Sequence, residues 1–316
     1  MSPINILRYS PTLHADAWDT FVDQSCNGTF LFRRAFMDYH ADRFQDHSLM
    51  FYDGDKLVAV FPANITDGVL TSHAGLSYGG LIVSASNNTL TQLECLRLLV
   101  DYCRQSQVRK LVIKPIPYIY ASQPSDAISY AFFRLGFRHI ACGLSTAINL
   151  RSPLPFRTLR MRGVRRAARL GLRIVEGNEH IEAFHAILKT ALVERHNVRP
   201  VHTPAEMLLL ASRFPSCIRL FTVWNGDELA GGVWMFYTAK VAHAQYIVAT
   251  EKGMKEGALD FLFSHLISNA PQDYFDFGVC TEDNGNFLNE GLLFQKEGFG
   301  ARAVIYDQWS LDITAD

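Results

Sequence analysis

Hydrophobic and polar residues alternate along two similar stretches of the chain, and a turn dipeptide interrupts each stretch. Ser48–Leu57 predicts a β-hairpin around Asp53-Gly54, because this dipeptide readily adopts the positive φ of a two-residue hairpin turn. Arg219–Leu229 repeats the layout around Asn225-Gly226. We therefore expect one hairpin early in each half of the chain.

The two halves share further landmarks in the same order. A β-rich run with a His-Ala pair follows each hairpin, at His73 and at His243. A helical pattern, a Phe-x-x-x-Gly-Phe sequence and a terminal strand come later, with that sequence at Phe132–Phe137 and at Phe294–Phe299. The nearly constant offset between matching landmarks indicates an internal duplication.

The length of the chain agrees with a duplication. A chain of 316 residues exceeds what one hydrophobic core usually serves. We expect an N-terminal domain at residues 1–150, a basic connecting helix at residues 151–173 and a C-terminal domain at residues 174–316. The late polar loops of the second half favour the C-terminal domain as the donor site.

The connecting segment is strongly basic. Residues 151–173 contain eight arginines and no acidic residue, and the hydrophobic positions within the segment lie at rough helical spacing. Four arginines at three- and four-residue intervals form the other face: Arg162, Arg165, Arg166 and Arg169. This face predicts binding of an anion such as tRNA or a nucleotide-sugar diphosphate, and a solvated helix is the alternative.

Composition narrows the functional classes. Hydrophobic residues make up 48% and charged residues 19%, and the formal net charge of −1 gives no overall field that would attract nucleic acid or an anionic membrane. The six cysteines are scattered without a CxxC pair or a metal-like spacing, so no metal is expected. No apolar run approaches the roughly 20 residues that cross a bilayer. We expect a cytoplasmic protein without stable membrane insertion.

The closing motifs bring a family resemblance. The Phe-x-x-x-Gly-Phe endings resemble those of GNAT acyltransferase folds, and three segments of the second half look like the Fem-type transferases and their GNAT-like relatives: residues 171–175, 274–278 and 291–300. The resemblance implies an α+β fold of two tandem GNAT-like domains, each a mixed twisted sheet flanked by helices. It also implies acyl transfer to an amine, from aminoacyl-tRNA in Fem enzymes and from acyl-CoA in many relatives. The acceptor would be a small-molecule or nucleotide-linked amine, such as an amino sugar or a cell-envelope precursor.

The donor loop departs from the family pattern. GNAT enzymes that use acyl-CoA hold its pyrophosphate on an Arg/Gln-x-x-Gly-x-Gly/Ala loop at a helix N-terminus. The corresponding stretch, Met254–Leu259, keeps only the central glycine and adds Glu256. The residues that the resemblance implies for acyl-CoA are Lys252, Lys255, Gly257 and Ala258.

Acyl transfer to an amine needs a group that accepts the amine proton and a group that stabilises the oxyanion. The candidate catalytic residues are Glu194, His196, Asp276, Glu290 and Lys296. Lys296 matches a lysine of the family motif, and the alternative is a solvated lysine at a helix end. Asp276 lies between two phenylalanines, so its carboxylate is either desolvated or tied to a backbone N–H. A structural role for Asp276 stays open.

Other polar residues are candidates for substrate binding. In the second half they are Arg195, Arg199, His243, Gln245, Tyr246 and Asn289, and in the first half His73, Tyr78, Lys114 and Tyr120. His243 and Gln245 are expected on one face of a strand, since strand side chains alternate. The structural alternatives are a core histidine for His243, a polar surface loop for Arg195 and Arg199, and an irregular strand edge for the residues of the first half.

Two other functions fit the same residues. An aminoacyl-tRNA-dependent transferase is favoured by the incomplete donor loop and the arginine helix. A non-catalytic GNAT-fold binding module would follow if both copies had lost the donor loop.

Overall fold

The computed structural model describes residues 3–196 and 198–313, without the side chains of residues 195 and 196. The chain forms two compact units. Unit 1 comprises Met1–Leu144, Thr281–Phe287 and Ile305–Asp316, and unit 2 comprises Ser145–Cys280 and Leu288–Val304. Within the described ranges, no helix combines the length and the apolar character needed to cross a membrane.

The first half of the chain supplies most of unit 1. Its helices are α1 (Pro11–Gln24), α2 (Arg34–Met37), α3 (Thr89–Gln105) and α4 (Ala127–Leu135). Its strands are β1 (Ile4–Arg8), β2 (Leu49–Asp53), β3 (Lys56–Phe61), β4 (Asn64–Thr66), β5 (Val69–Thr71), β6 (Ile82–Val83), β7 (Lys110–Ile113) and β8 (Arg138–Asn149). Strands β1, β2, β3 and β6 form one antiparallel sheet, whereas β5 and β7 pair in parallel.

The second half supplies most of unit 2. Its helices are α5 (Thr158–Arg169), α6 (Ile181–His196), α7 (Pro204–Arg213), α8 (Glu251–Glu256), α9 (Ala258–Asn269) and α10 (Glu290–Glu297). Its strands are β9 (Arg173–Glu176), β10 (Ile218–Asn225), β11 (Glu228–Tyr237), β12 (Val241–Ala249) and β13 (Tyr274–Val279). The chain ends with β14 (Thr281–Glu282), β15 (Phe287–Leu288) and β16 (Arg302–Asp312).

The sheet of unit 2 has the order β8-β13-β12-β11-β10-β9. Strands β12 and β13 pair in parallel, and their neighbours are antiparallel. Each unit therefore contains a mixed sheet flanked by helices, and the predicted α+β class is confirmed.

Local sequence explains where these elements begin and end. Both predicted hairpins form, and their turn glycines Gly54 and Gly226 have φ of 59° and 58°. Thr203 and Glu206 make a capping box that starts α7. The Thr250 hydroxyl accepts a hydrogen bond from the Gly253 N–H and starts α8 directly after β12.

The two faces of the unit 2 sheet have different characters near β13. Phe275 and Phe277 point to one face and pack with Phe263 of α9 at centroid separations of 6.0 and 4.9 Å. Asp276 points to the opposite face, since side chains alternate along a strand. The flanking aromatic residues therefore form core on one side, while the carboxylate faces the other side.

Candidate functional site

The parallel pairing between β12 and β13 is short. It covers Val241–His243 opposite Tyr274–Asp276, after which β12 continues along β11 to Ala249. Strand β13 shows an irregularity on its other side, between Asp276 and Val279. His243 and Asp276 thus form the last pair before β12 and β13 separate within the sheet of unit 2.

Asp276 is the centre of a hydrogen-bond network. Its side chain is fully buried. Oδ1 accepts hydrogen bonds from the Ser145 hydroxyl at 2.6 Å and the Gly278 N–H at 3.1 Å, and Oδ2 lies 2.8 Å from His243 Nδ1. Gly278 has φ of 76°, the left-handed conformation that glycine adopts most easily. A buried carboxylate with three such partners is held in a single orientation.

This network sets the state of His243. A carboxylate accepts hydrogen bonds only, so Nδ1 carries a proton, and in this tautomer of the imidazole Nε2 holds the free electron pair. The side chain is 14% exposed, and no described residue hydrogen-bonds Nε2. Among the described residues, the Nδ1 edge of His243 is thus engaged by Asp276, whereas the Nε2 edge is not hydrogen-bonded.

Lys296 lies under the end of β13. It is only 5% exposed, so the alternative of a solvated lysine is wrong. Its ammonium donates to the carbonyl oxygens of Gly278 and Val279 at 2.8 and 3.0 Å. Desolvation lowers its pKa, and the nearby Cys280 and Asp276 oppose that change. Lys296 stabilises the turn that positions the Gly278 N–H under Asp276.

A bulge shapes the middle of β12. Ala244 pairs with Met235 and Tyr246 pairs with Trp234, so Gln245 is an extra residue without a partner on β11. The expected alternation that puts His243 and Gln245 on one face is therefore interrupted. Counting through the register, Tyr246 instead lies on the same face as His243.

His202 was missed by the sequence reasoning. It is 7% exposed, and its Nδ1 lies 2.8 Å from the Tyr246 hydroxyl. Burial raises the pKa of Tyr246, so this hydroxyl keeps its proton at neutral pH. His202 ends the polar stretch that precedes α7, and its position just before the capping residue Thr203 is the only signal that the sequence offered.

The N-terminus of α9 is packed against α5. Gly257 has φ of 87°, and a Cβ there would lie 2.5 Å from the Gly163 carbonyl oxygen. A Cβ on Gly163 would in turn lie 1.8 Å from a carboxylate oxygen of Asp260. Arg160 pairs with Asp260 at 2.7 Å, and both side chains are largely buried. Helix α5 and an acidic side chain thus occupy the surroundings of Gly257.

The arginines of residues 151–173 divide into two groups. Those with partners in unit 2 are Arg151 with Asp273, Arg157 with Glu297, Arg160 with Asp260, Arg166 with the Lys255 carbonyl and Arg173 with the Gly226 carbonyl. Arg162, Arg165 and Arg169 are exposed on α5, and none of the described residues pairs with them. The partnered arginines hold the segment to the rest of unit 2, and the other three form an uncompensated basic stripe.

Most of the remaining predicted residues of unit 2 lie on its surface. Glu194, Arg199, Glu290, Lys252 and Lys255 are exposed. Lys252 pairs with Glu228, Asn289 caps α10 through the Leu292 N–H, and Ala258 is buried. The described contacts do not join Glu194 or Glu290 to the Asp276 network. The side chains of Arg195 and His196 lie outside the described residues.

In unit 1, His73 and Lys114 belong to one buried cluster. His73 is 3% exposed with φ of 62°, an uncommon conformation for histidine. Burial lowers its pKa to about 3, with His40 and Lys114 adding to the effect. Lys114 donates to the carbonyl oxygens of Ala74 and Leu76, and burial lowers its pKa to about 8.

Tyr78 and Tyr120 meet in the same unit. Their ring centroids are 4.5 Å apart, and the Tyr120 hydroxyl lies 3.0 Å from that of Tyr306. Tyr78 also lies within hydrogen-bond reach of the Thr29 hydroxyl at 3.4 Å. The candidate residues of the first half are therefore a buried polar and aromatic group of unit 1.

Comparison with known proteins gives a domain and a fold. Residues 156–284 match the model of the Acetyltransferase (GNAT) domain. A search of curated proteins found no match. The fold resembles that of FemX (11% identity, TM-score 0.68, 97% of this chain and 96% of that one). It also resembles L-PGS from Bacillus licheniformis, with 11% identity and a TM-score of 0.64 over 98% of this chain and 94% of that one.

A third structure has the same tandem arrangement. The tandem GNAT protein from the clavulanic acid biosynthesis pathway has 11% identity and a TM-score of 0.55, and 99% of each chain is covered. At identities this low, the TM-scores show a shared fold alone. Residues 156–284 thus match a GNAT acetyltransferase domain, the chain has a tandem GNAT fold, and the predicted fold is confirmed.

Proposed function

We propose that unit 2 transfers an acyl or aminoacyl group directly to an amine, with His243 as the general base and Asp276 as its positioning residue. One observation carries this proposal. A fully buried carboxylate holds Nδ1 of His243 where β12 and β13 separate, and this leaves Nε2 available to an amine. A base of this kind accelerates proton transfer by about 10² to 10⁴.

The reaction follows from these positions. His243 Nε2 takes a proton from the neutral acceptor amine as the amine nitrogen attacks the acyl carbon. A carbon–nitrogen bond forms, and the bond from the acyl carbon to the donor oxygen or sulfur breaks. Backbone N–H groups of β12 beyond His243 that face away from β11 are available to the oxyanion. The Tyr246 hydroxyl donates its proton to the leaving oxygen or sulfur, after which His243 releases its proton to solvent and Tyr246 takes one up.

The donor that these surroundings favour is the ester of an aminoacyl-tRNA. A pyrophosphate at the α9 N-terminus would meet the α5 backbone at Gly163 and the carboxylate of Asp260. The close approach of α5 opposes an anion at the place where CoA enzymes bind theirs, and the nearby Arg160 is already paired with Asp260. The stripe of Arg162, Arg165 and Arg169 offers phosphate contacts elsewhere on unit 2. For the acceptor, we propose an amine on an amino sugar or cell-envelope precursor.

Acyl-CoA is the second candidate donor. The family model that matches residues 156–284 is that of an acetyltransferase. Lys255 is exposed beside Gly257, where it can contact a phosphate. In this case α5 would have to move away from α9 when the donor binds.

Donor assays separate the two candidates. The full chain is incubated with a panel of amines and either mixed charged tRNA or acyl-CoA esters, and amide products are measured by mass spectrometry. We expect products from charged tRNA, in amounts that fall when Arg162, Arg165 and Arg169 are replaced by alanine. Arg134→Ala with Arg138→Ala, two exposed sites in unit 1, is the control. Products from CoA esters alone would reject the tRNA proposal.

The salt dependence of tRNA binding adds a quantitative readout. Each lost phosphate contact lowers the slope of log K against log salt by about 0.7 to 0.9. The slope is negative, and its magnitude should therefore fall by about two or more in the triple variant. The control variant should keep the wild-type slope. Equal slopes in both would exclude the stripe as the tRNA contact.

A further inference from the structure

Three potential metal ligands meet in unit 1, and none of them takes part in the proposed reaction. His139 and Cys142 lie on the unit 1 part of β8, and Asp307 lies on β16. The ligand atoms of all three lie within 4.8 Å of one another. His139 Nε2 is already 2.7 Å from an oxygen of Asp307.

The neighbours of these side chains restrict their movement. The His139 ring stacks on Trp309, with centroids 4.7 Å apart and an interplanar angle of 24°. The turn at Gly285 presses on the backbone of Cys142, because a Cβ at Gly285 would lie 2.1 Å from the Cys142 carbonyl oxygen. The stacking therefore restricts the His139 ring, and the turn fixes the backbone from which the Cys142 side chain extends.

The chemistry of the set restricts the ion. Thiolate and imidazole are ligands that zinc prefers, whereas magnesium and calcium select oxygen. A thiolate and a carboxylate together balance the charge of a divalent cation.

We propose that His139, Cys142 and Asp307 form a zinc site with three protein ligands and one position left for water. On binding, Cys142 loses one proton to solvent, and its sulfur and Nε2 of His139 each donate an electron pair to the ion. The present His139 to Asp307 contact opens to about 3.3 Å, the separation of two ligands in a tetrahedral site. Each side chain is near enough to make this change by a small rotation.

The spacing of the sequence could not reveal this site. His139-x-x-Cys142 supplies only two ligands, and the third comes from the last strand of the chain. The expectation of no metal rested on short cysteine and histidine spacings, which describe sites built from one local segment.

Cobalt titration tests the proposal on the full chain after treatment with a chelator. Cobalt stands in for zinc, and a cysteine ligand gives a sulfur-to-cobalt charge-transfer band. We expect one equivalent to bind with this band, zinc to displace it, and binding to release one proton. Cys142→Ser should abolish the band, and Asp307→Asn should weaken zinc binding by about tenfold or more.

The control is Cys217→Ser, because Cys217 is a partly exposed cysteine of unit 2 outside the cluster. Circular dichroism verifies that each variant is folded, and His139→Gln replaces Cys142→Ser if the latter unfolds. A wild-type protein that binds no cobalt, or binds it without a charge-transfer band, overturns the proposal. So does a Cys142→Ser or His139→Gln variant that binds zinc as tightly as the wild type.

Discussion

Replacing Asp276 by asparagine tests how the site controls the proton of His243. The substitution keeps the shape of the side chain but removes its charge. Oδ1 of the asparagine can still accept hydrogen bonds from Ser145 and the Gly278 N–H, whose distances to Asp276 are 2.6 and 3.1 Å. Its amide nitrogen then faces His243 Nδ1 and donates a hydrogen bond. Nδ1 must become the acceptor, so the proton moves to Nε2.

This change of tautomer removes the base. A general base contributes about 10² to 10⁴ in rate, which corresponds to about 3 to 5 kcal/mol of activation free energy. We expect Asp276→Asn to lower single-turnover transfer by that factor, with substrate binding nearly unchanged. His243→Ala should lower the rate equally, and the double variant should be no slower than either single variant.

Nitrogen NMR of the imidazole gives a readout that needs no substrate. The wild-type spectrum should show His243 protonated at Nδ1 and free at Nε2, and Asp276→Asn should reverse the two. Asp273→Asn is the control, since Asp273 pairs with Arg151 and Lys240 and not with His243. A wild-type ring protonated at Nε2, or a fully active Asp276→Asn protein, would refute the reasoning.

Three stability measurements test other parts of the account. Gly257→Ala should lower the free energy of unfolding by about 1 to 3 kcal/mol more than Gly226→Ala. Both glycines have positive φ, but only at Gly257 would a Cβ meet other atoms. Equal losses would contradict the packing of α5 on α9. Lys296→Met should destabilise the protein by about 2 to 4 kcal/mol in chemical denaturation, because two carbonyl oxygens lose their hydrogen-bond donor. A loss below about 1 kcal/mol would indicate that the ammonium is solvated. The folded pKa of Lys114 of about 8 lies below its ordinary 10.5, so the unfolded chain binds more protons between these values and stability due to this group rises with pH there. The unfolding free energy of the wild type minus that of Lys114→Met should therefore increase from pH 8 to 10.5. Parallel pH curves for the two proteins would show that the Lys114 ammonium is not desolvated.

Much of the fold could be predicted from the sequence because its signals are local. Asp-Gly and Asn-Gly define hairpin turns by their own backbone preferences, and Thr203 caps the helix beside it. The duplication was visible because each copy carries these signals in the same order. The GNAT fold was implied by the resemblance of the closing motifs and of three segments of the second half to that family.

The site was less accessible because its contacts join distant positions. His243 and Asp276 were each candidates, but their pairing depends on the parallel register of β12 and β13. Ser145 gave no signal, since it reaches Asp276 from another strand. The bulge at Gln245 moves the side chain of every later residue of β12 to the opposite face of the sheet. The residue types of β12 gave no sign of this bulge.

Charge pairing across the fold was also hidden. Residues 151–173 contain no acidic residue, and the spacing singled out a face of four arginines that includes Arg166. In the fold, Arg166 donates to the Lys255 carbonyl oxygen. Acidic residues from distant parts of unit 2 partner three further arginines of the segment: Asp260, Asp273 and Glu297. Lys296 similarly looked like a helix-end lysine until the fold placed backbone carbonyl oxygens around it.

The most direct test of the central claim is single-turnover transfer by the wild type and by His243→Ala, measured with charged tRNA, acyl-CoA esters and the same amine panel. The account predicts amide formation by the wild type from at least one donor class, and a rate for His243→Ala that is lower by about 10² to 10⁴. Transfer by His243→Ala at the wild-type rate, with whichever donor proves active, would contradict it.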